Sequence, residues 1–152
     1  MSHQPRVPVD KQTPKVYRAQ VAVATAIRQA AKDAGLDRTL VELINIRVSQ
    51  INGCAYCLDV HVKAAVAAGE SARRLAVLPA WRETALFSDR ERAALTLAES
   101  ITTLPAAETQ ERDYAASSQI LSADELSAVS WIAITINAFN RISIVSRHEV
   151  TP

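Results

Sequence analysis

Asn52-Gly53-Cys54-Ala55-Tyr56-Cys57-Leu58-Asp59-Val60-His61 holds both cysteines of the chain and one of its three histidines. Asn-Gly is a strong turn signal, so it closes whatever element precedes it. Upstream, Asp37 is a good N-cap. Leu40, Ile44, Val48 and Ile51 then follow at steps of four, four and three, which is one face of a helix ending at Asn52-Gly53. Downstream, a second helix opens around Cys54 and runs to Gly69. The decisive stretch therefore reads as a tight turn between two helices, with the cysteines at the start of the second.

At 100° per residue, Cys54, Cys57, Leu58, His61, Ala65 and Ala68 share one face of that second helix. Asp59 and Lys63 lie opposite and pair across one turn. Val60, Val62 and Val66 extend the apolar surface around most of the perimeter. A helix apolar over so much of its circumference is expected to pack centrally, with its reactive side chains turned inward. Tyr56 falls near the outer side.

Working outward, a helix is expected from Lys15 to about Ala34, stopped by Gly35. Residues 1–14 read as a flexible arm in which Pro5, Pro8 and Pro14 prevent an early helix. After Gly69, Glu70–Leu78 reads as a short helix closed by Pro79, and Trp81–Phe87 as a connector. Ser88 with Glu91 is a capping box, opening a helix to about Leu104 with Ala94, Leu97, Ile101 and Leu104 buried. Pro105 ends it. A weaker helix spans about Glu108–Ile120. Ser122 with Glu125 is a second capping box; the strongly apolar helix it opens runs through about Phe139, and Asn140–Arg147 continue it after a bend. Asn137 and Asn140, in apolar surroundings, require hydrogen-bond partners. Trp81, Trp131 and Phe139 read as core or interface residues. No strand is evident. The fold class is all-α, a compact bundle of six or seven helices forming one domain over residues 15–150.

The 152 residues carry a net charge of +1, with Lys and Arg scattered among Asp and Glu. No basic block exists to meet a nucleic acid or an anionic membrane. The apolar run Leu126–Phe139 is too short to span a bilayer. Met1–Lys15 has no apolar signal core. A cytoplasmic location is expected, with neither nucleic acid nor membrane as a partner.

Two cysteines three residues apart do not make a disulfide scaffold; their spacing points to redox or metal chemistry. Four-coordinate zinc needs further ligands, and only His61, with Glu42, is suitably placed; His3 and His148 lie near the ends. The redox reading is fuller. A helix N-terminus favours thiolate, the species that attacks a peroxide or a disulfide. His61, one turn beyond Cys57, is placed to take its proton. Glu42 on the preceding helix is the candidate that orients the imidazole and stabilises its cation. Cys57, closer to the base, is the attacking cysteine and Cys54 the resolving one. A sulfenic acid on Cys57 condenses with Cys54 to a disulfide. The chain has no second dithiol, so an external dithiol or redox-protein reductant must reopen it. This reading calls for no cofactor and no metal.

Glu42, Cys54-Ala55-Tyr56-Cys57 and His61 together resemble the signature of the alkylhydroperoxidase D-like (AhpD-like) family, within the carboxymuconolactone decarboxylase-like superfamily. The run Ile46–Cys54 is similar to the family's approach to its cysteine pair. Trp81-Arg82-Glu83, Phe87–Ala94 and Ile136–Arg141 also resemble family stretches, so the likeness covers most of residues 15–147. It implies an all-helical fold, thiol peroxidase activity on hydrogen peroxide or organic hydroperoxides, and a homo-oligomer, a trimer or a hexamer of trimeric symmetry. It implies Glu42, Cys54, Cys57 and His61 as the catalytic set. Tyr56 departs from the best-studied branch, which has a second histidine there; tyrosine cannot perform imidazole base chemistry. Two other readings remain: a carboxymuconolactone decarboxylase-like enzyme, which has no use for two cysteines, and a non-enzymatic redox switch built on the same disulfide.

Overall fold

A computed structural model describes residues 4–152, and among them lie eight α-helices and no strand. They are α1 (Val9–Gln12), α2 (Pro14–Asp33), α3 (Arg38–Asn52), α4 (Ala55–Ala67), α5 (Ala72–Val77), α6 (Asp89–Thr103), α7 (Ala107–Ser118) and α8 (Ala123–Ser146). A 3-10 segment, Leu78–Glu83, joins α5 to α6 through part of the expected connector. The class is the all-helical bundle read from the sequence.

The helix ends follow their local chemistry. The Asp37 carboxylate accepts from the Leu40 N–H at 2.8 Å and starts α3. Gly53, at φ +67°, ends it in the left-handed region that glycine enters without strain. Both capping boxes form: the Ser88 and Ser122 hydroxyls accept from the Glu91 and Glu125 amides, and those glutamates reach back to the serine amides. Leu104, expected in the buried stripe of α6, instead caps it at φ 45° and is 71% exposed.

One expectation changes at the N-terminus, and part of another is left outside the described structure. Residues 1–3 of the expected arm, His3 among them, lie outside the described residues. The prolines do not prevent a helix before Lys15: Pro8 sits at the N-cap of α1 and Pro14 in the first turn of α2. At a helix start a missing N–H forfeits no bond, so proline ends the preceding segment while leaving the chain after it free to be helical. The Val9 amide donates to Ser146 Oγ at 3.0 Å and ties α1 to the end of α8.

The central helix is α3, not α4. Leu40, Val41, Ile44 and Val48 of α3 pack with Ala94, Leu97 and Ala98 of α6 and Val129, Ile132, Ala133 and Ile136 of α8. Leu43 and Ile46, on another side of α3, join Ala65, Leu78, Trp81, Phe87 and Leu95 in a second cluster. Each fully buried side chain of this size contributes roughly 1.5–3 kcal/mol. In α4 only Cys57 and Ala65 are buried, while Val60 and Val66 are 42% and 54% exposed. An apolar perimeter states what a helix could bury; within this chain α4 meets the bundle along one face only.

No bend separates Asn140 from the helix before it, and α8 runs unbroken for 24 residues. By length and composition alone it could cross a membrane, being longer than its apolar run. Ten of its residues are buried against the bundle, Asn140 among them. Asn140 continues the helix because its side chain is occupied sideways: Oδ1 accepts from Asn52 Nδ2 at 2.9 Å and Nδ2 donates to Ser49 Oγ at 2.9 Å. Asn52 also donates to Asn137 Oδ1 at 2.8 Å, and Asn137 donates to Thr102 Oγ1 at 3.0 Å. These bonds pin the α3–α4 turn, immediately before Cys54, to α8.

Candidate active site

The site lies where α4 leaves that turn, against α3, α2 and the second half of α8. Cys54 is the N-cap of α4, and its Sγ accepts from the Cys57 amide at 3.3 Å. Cys54 and Cys57 are joined by a disulfide and are 1% and 4% exposed. A polarised amide of the helix start thus faces the Cys54 sulfur, an environment that favours thiolate once the bond is reduced.

Glu42 sits in the middle of α3 at 1% exposure and has three partners. Its Oε2 lies 2.6 Å from His61 Nδ1, its Oε1 accepts from Arg38 Nη2 at 2.7 Å, and Asn45 Nδ2 approaches Oε2 at 3.5 Å. Arg38 and Asn45 stand four residues before and three after Glu42, one turn away on the same helix face. Burial pushes the Glu42 carboxyl up, but the hydrogen bond and charge of His61, the charge of Arg38 and the Asn45 amide outweigh it. The carboxyl is held below its ordinary value and stays ionised at neutral pH. An ionised carboxylate only accepts, so His61 Nδ1 carries the hydrogen between them and Nε2 is the nitrogen Glu42 does not occupy.

His61 and Cys57 line one cavity of about 200 Å3, together with Tyr17, Tyr56, Val60, Ile136, Phe139 and His148. On the other side of His61 lies a larger cavity of about 340 Å3, walled by Arg28, Arg38, Glu42, Asn45 and His61 among apolar side chains of α2, α3 and α8. The two share Val60, His61, Ile136 and Phe139 as walls. A third cleft, of about 320 Å3, opens beside Cys54 and is lined by Tyr56, Ser143, Arg147, His148 and Glu149.

All four sequence candidates, Glu42, Cys54, Cys57 and His61, thus come together. Of the arginines four before and five after it on α3, Glu42 meets Arg38; Arg47 pairs with Glu99 at 2.7 Å. Asp59 and Lys63 pair at 2.8 Å on the surface. The sulfurs are taken by each other and the Glu42 oxygens by Arg38 and His61, and among the described residues no group of three or more His, Cys, Asp and Glu side chains could hold a metal ion. Tyr17, Asn45 and His148 are new to the site. Asn45 was accessible from its one-turn step to Glu42. Tyr17 and His148 are 40 and 91 residues from Cys57 in sequence, and nothing local marks them.

Residues 14–100 match the profile of the carboxymuconolactone decarboxylase family. The chain is 40% identical over 113 residues to the uncharacterized protein YdfG of Bacillus subtilis, covering 74% of this chain and 77% of that one. It is 39% identical over 75 residues to the uncharacterized protein YnjA of Escherichia coli, covering 49% of this chain and 41% of that one. Among solved structures it is similar to a crystal structure of a protein of unknown function from Agrobacterium tumefaciens, whose suggested role is that of the antioxidant defence protein AhpD. The TM-score is 0.87 at 26% identity, covering 98% of this chain and 99% of that one.

Proposed function

This chain belongs to the carboxymuconolactone decarboxylase family, and we propose that within it the protein is a thiol-dependent peroxidase of the AhpD-like kind. The observation that carries the reading is the shared wall of one cavity. The disulfide-forming Cys57 and His61 line it together, and His61 is held through Nδ1 by a buried, ionised Glu42. The structural likeness to a protein with a suggested antioxidant role supports it.

In the reduced protein His61 Nε2 takes the Cys57 proton. The thiolate attacks the terminal peroxide oxygen, the O–O bond breaks, and the leaving alkoxide or hydroxide takes that proton from the imidazolium. Cys57 is now a sulfenic acid. Cys54 displaces its hydroxyl as water, and the S–S bond forms. An external dithiol or redox protein attacks the disulfide and restores both thiols. The larger, mostly apolar cavity behind His61 suits the carbon portion of an organic hydroperoxide. A homo-oligomer, a trimer or hexamer, belongs to the same reading and is supported by the exposed Val60 and Val66 of α4 and Trp131 and Ile134 of α8. A cytoplasmic location does too, since a dithiol that must be re-reduced works best in reducing surroundings.

The test is peroxide consumption by the pure protein with a panel of donors, from dihydrolipoamide to thioredoxin-type proteins. Cys57→Ser and Cys54→Ser are each expected to abolish turnover. A sulfenic-acid trap is expected to label Cys54→Ser after peroxide and to leave Cys57→Ser unlabelled. Full turnover by Cys57→Ser overturns the reading.

A further inference from the structure

The relay of Glu42 and His61 reaches the cavity of Cys57, while the cleft beside Cys54 has neither residue in its wall. That cleft has another imidazole. His148, just beyond α8, lines both the Cys54 cleft and the Cys57 cavity, and its ring meets the edge of Tyr56 with centroids 5.1 Å apart. Each of its nitrogens has a polar neighbour, the one at Nε2 at ion-pair distance and outside hydrogen-bond geometry. Nε2 lies 3.2 Å from Asp10 Oδ1 on α1, and Nδ1 lies 3.2 Å from Ser143 Oγ on α8. Ser143 is 6% exposed and also lines both spaces.

The proton positions follow from the acid at one end. Burial raises the Asp10 carboxyl, but contact with His148 and the nearby backbone amides overcome it and hold it below its ordinary value. The negative charge of an ionised Asp10 beside Nε2 favours the ring form with its hydrogen on Nε2 and its lone pair on Nδ1. With that tautomer Ser143 donates its hydroxyl proton to Nδ1 across 3.2 Å, and its oxygen keeps lone pairs free in a wall it shares with Cys54 and Cys57.

We infer that Ser143, His148 and Asp10 form a second proton relay, which serves Cys54 as Glu42 and His61 serve Cys57. This rests on the peroxidase reading for its place in the cycle. When the Cys57 sulfenic acid is to be closed, Cys54 must lose its proton. Ser143 Oγ takes it, directly or through a water, while its own proton passes to His148 Nδ1 and Asp10 balances the imidazolium. The Cys54 electron pair forms the S–S bond, the S–O bond breaks, and the departing hydroxide recovers the proton as water. In the reverse direction, when a dithiol attacks the disulfide at Cys57, the proton that the attacking thiol gives up enters at His148 and passes through Ser143 to the Cys54 thiolate. The charged and titratable groups around His148 are Asp10 from α1, Tyr17 from α2, Tyr56, Cys57 and His61 from α4, and Arg147 and Glu149 beside it. His148 and Asp10 act through Ser143 and are positioning residues.

The test reads the pH dependence of thiol alkylation in the full-length reduced protein and needs no peroxide. In a Cys57→Ser background only Cys54 reacts. There, His148→Gln and Ser143→Ala are each expected to raise the midpoint of Cys54 alkylation by about one pH unit, the effect of removing a nearby cation or hydrogen bond. In a Cys54→Ser background His148→Gln is expected to move the Cys57 midpoint less than His61→Gln does. Asp10→Asn keeps shape and removes charge, and is read alone should the other variants fail to fold by circular dichroism. An unchanged Cys54 midpoint in any folded variant of the three overturns the relay. If the wild-type protein consumes no peroxide with any donor while the Cys54 midpoint still moves, the peroxidase reading fails and the relay stands.

Discussion

Glu42 Oε2 lies 2.6 Å from His61 Nδ1, so the buried carboxylate holds by one nitrogen an imidazole that lines the cavity of Cys57. The pair joins the middle of α3 to the second turn of α4 across the glycine turn that separates them. Neither helix contains both parts of the site, and the helix packing brings them together.

Glu42→Gln keeps the shape and removes the charge. Peroxide turnover at pH 7 is expected to fall on the order of 10²-fold, the scale of a general-base contribution. The carboxyl is held below its ordinary value, so its contribution to stability is present above the unfolded value and is lost as pH falls through the folded one. Thermal melts of wild type and Glu42→Gln are therefore expected to differ at neutral pH and to converge in acid. A gap that stays constant down to pH 3 contradicts this.

Arg38→Gln separates activity from stability. Glu42 is buried but the Arg38 side chain is 51% exposed, and solvent screening of the cation keeps the contribution of the pair to about 1 kcal/mol or less. Urea denaturation is expected to show little change. The charge that helps keep Glu42 ionised is lost, so the acid limb of the pH–rate profile is expected to move toward neutral pH.

Asn140→Ala removes a side chain that is 0% exposed and leaves Asn52 and Ser49 without one partner each. Unfolding free energy is expected to drop by about 1–3 kcal/mol, measured by urea titration. The turn before Cys54 loses a tether to α8, so turnover is expected to fall as well.

Gly53→Ala isolates backbone strain. A Cβ there meets no atom within 4 Å, yet φ is +67°. The expected cost is about 1–2 kcal/mol, the penalty for a side chain in the left-handed region. Alkylation of the reduced cysteines is expected to keep its pH midpoint, because nothing near the sulfurs is displaced.

Much was legible locally. Asp37, Gly53, Ser88 and Ser122 act as caps because each satisfies backbone groups within four residues of itself, and such chemistry is written in the sequence. The set Glu42, Cys54, Cys57 and His61 was readable because two helices adjoining in sequence carry it and fixed helical steps set its internal spacing. The straight course of α8 through Asn140 and the peripheral place of α4 were not legible, for the opposite reason. Both depend on which surfaces meet, and one helix's pattern does not say what lies opposite.

Sequence alone therefore determined the helical class, most helix boundaries, the Cys54–Cys57 pair and the histidine one turn beyond it. Tertiary structure alone decided that α3 is the packed axis, that Glu42 meets Arg38 and not Arg47, and that Asp10 and His148 from opposite ends of the chain meet beside the cysteines. The physical reason is range. Capping, turn strain and helical periodicity act over a few residues and leave their mark in residue order. Burial and long-range ion pairing depend on how whole helices exclude water from one another, and only the assembled bundle fixes which distant side chains share a wall.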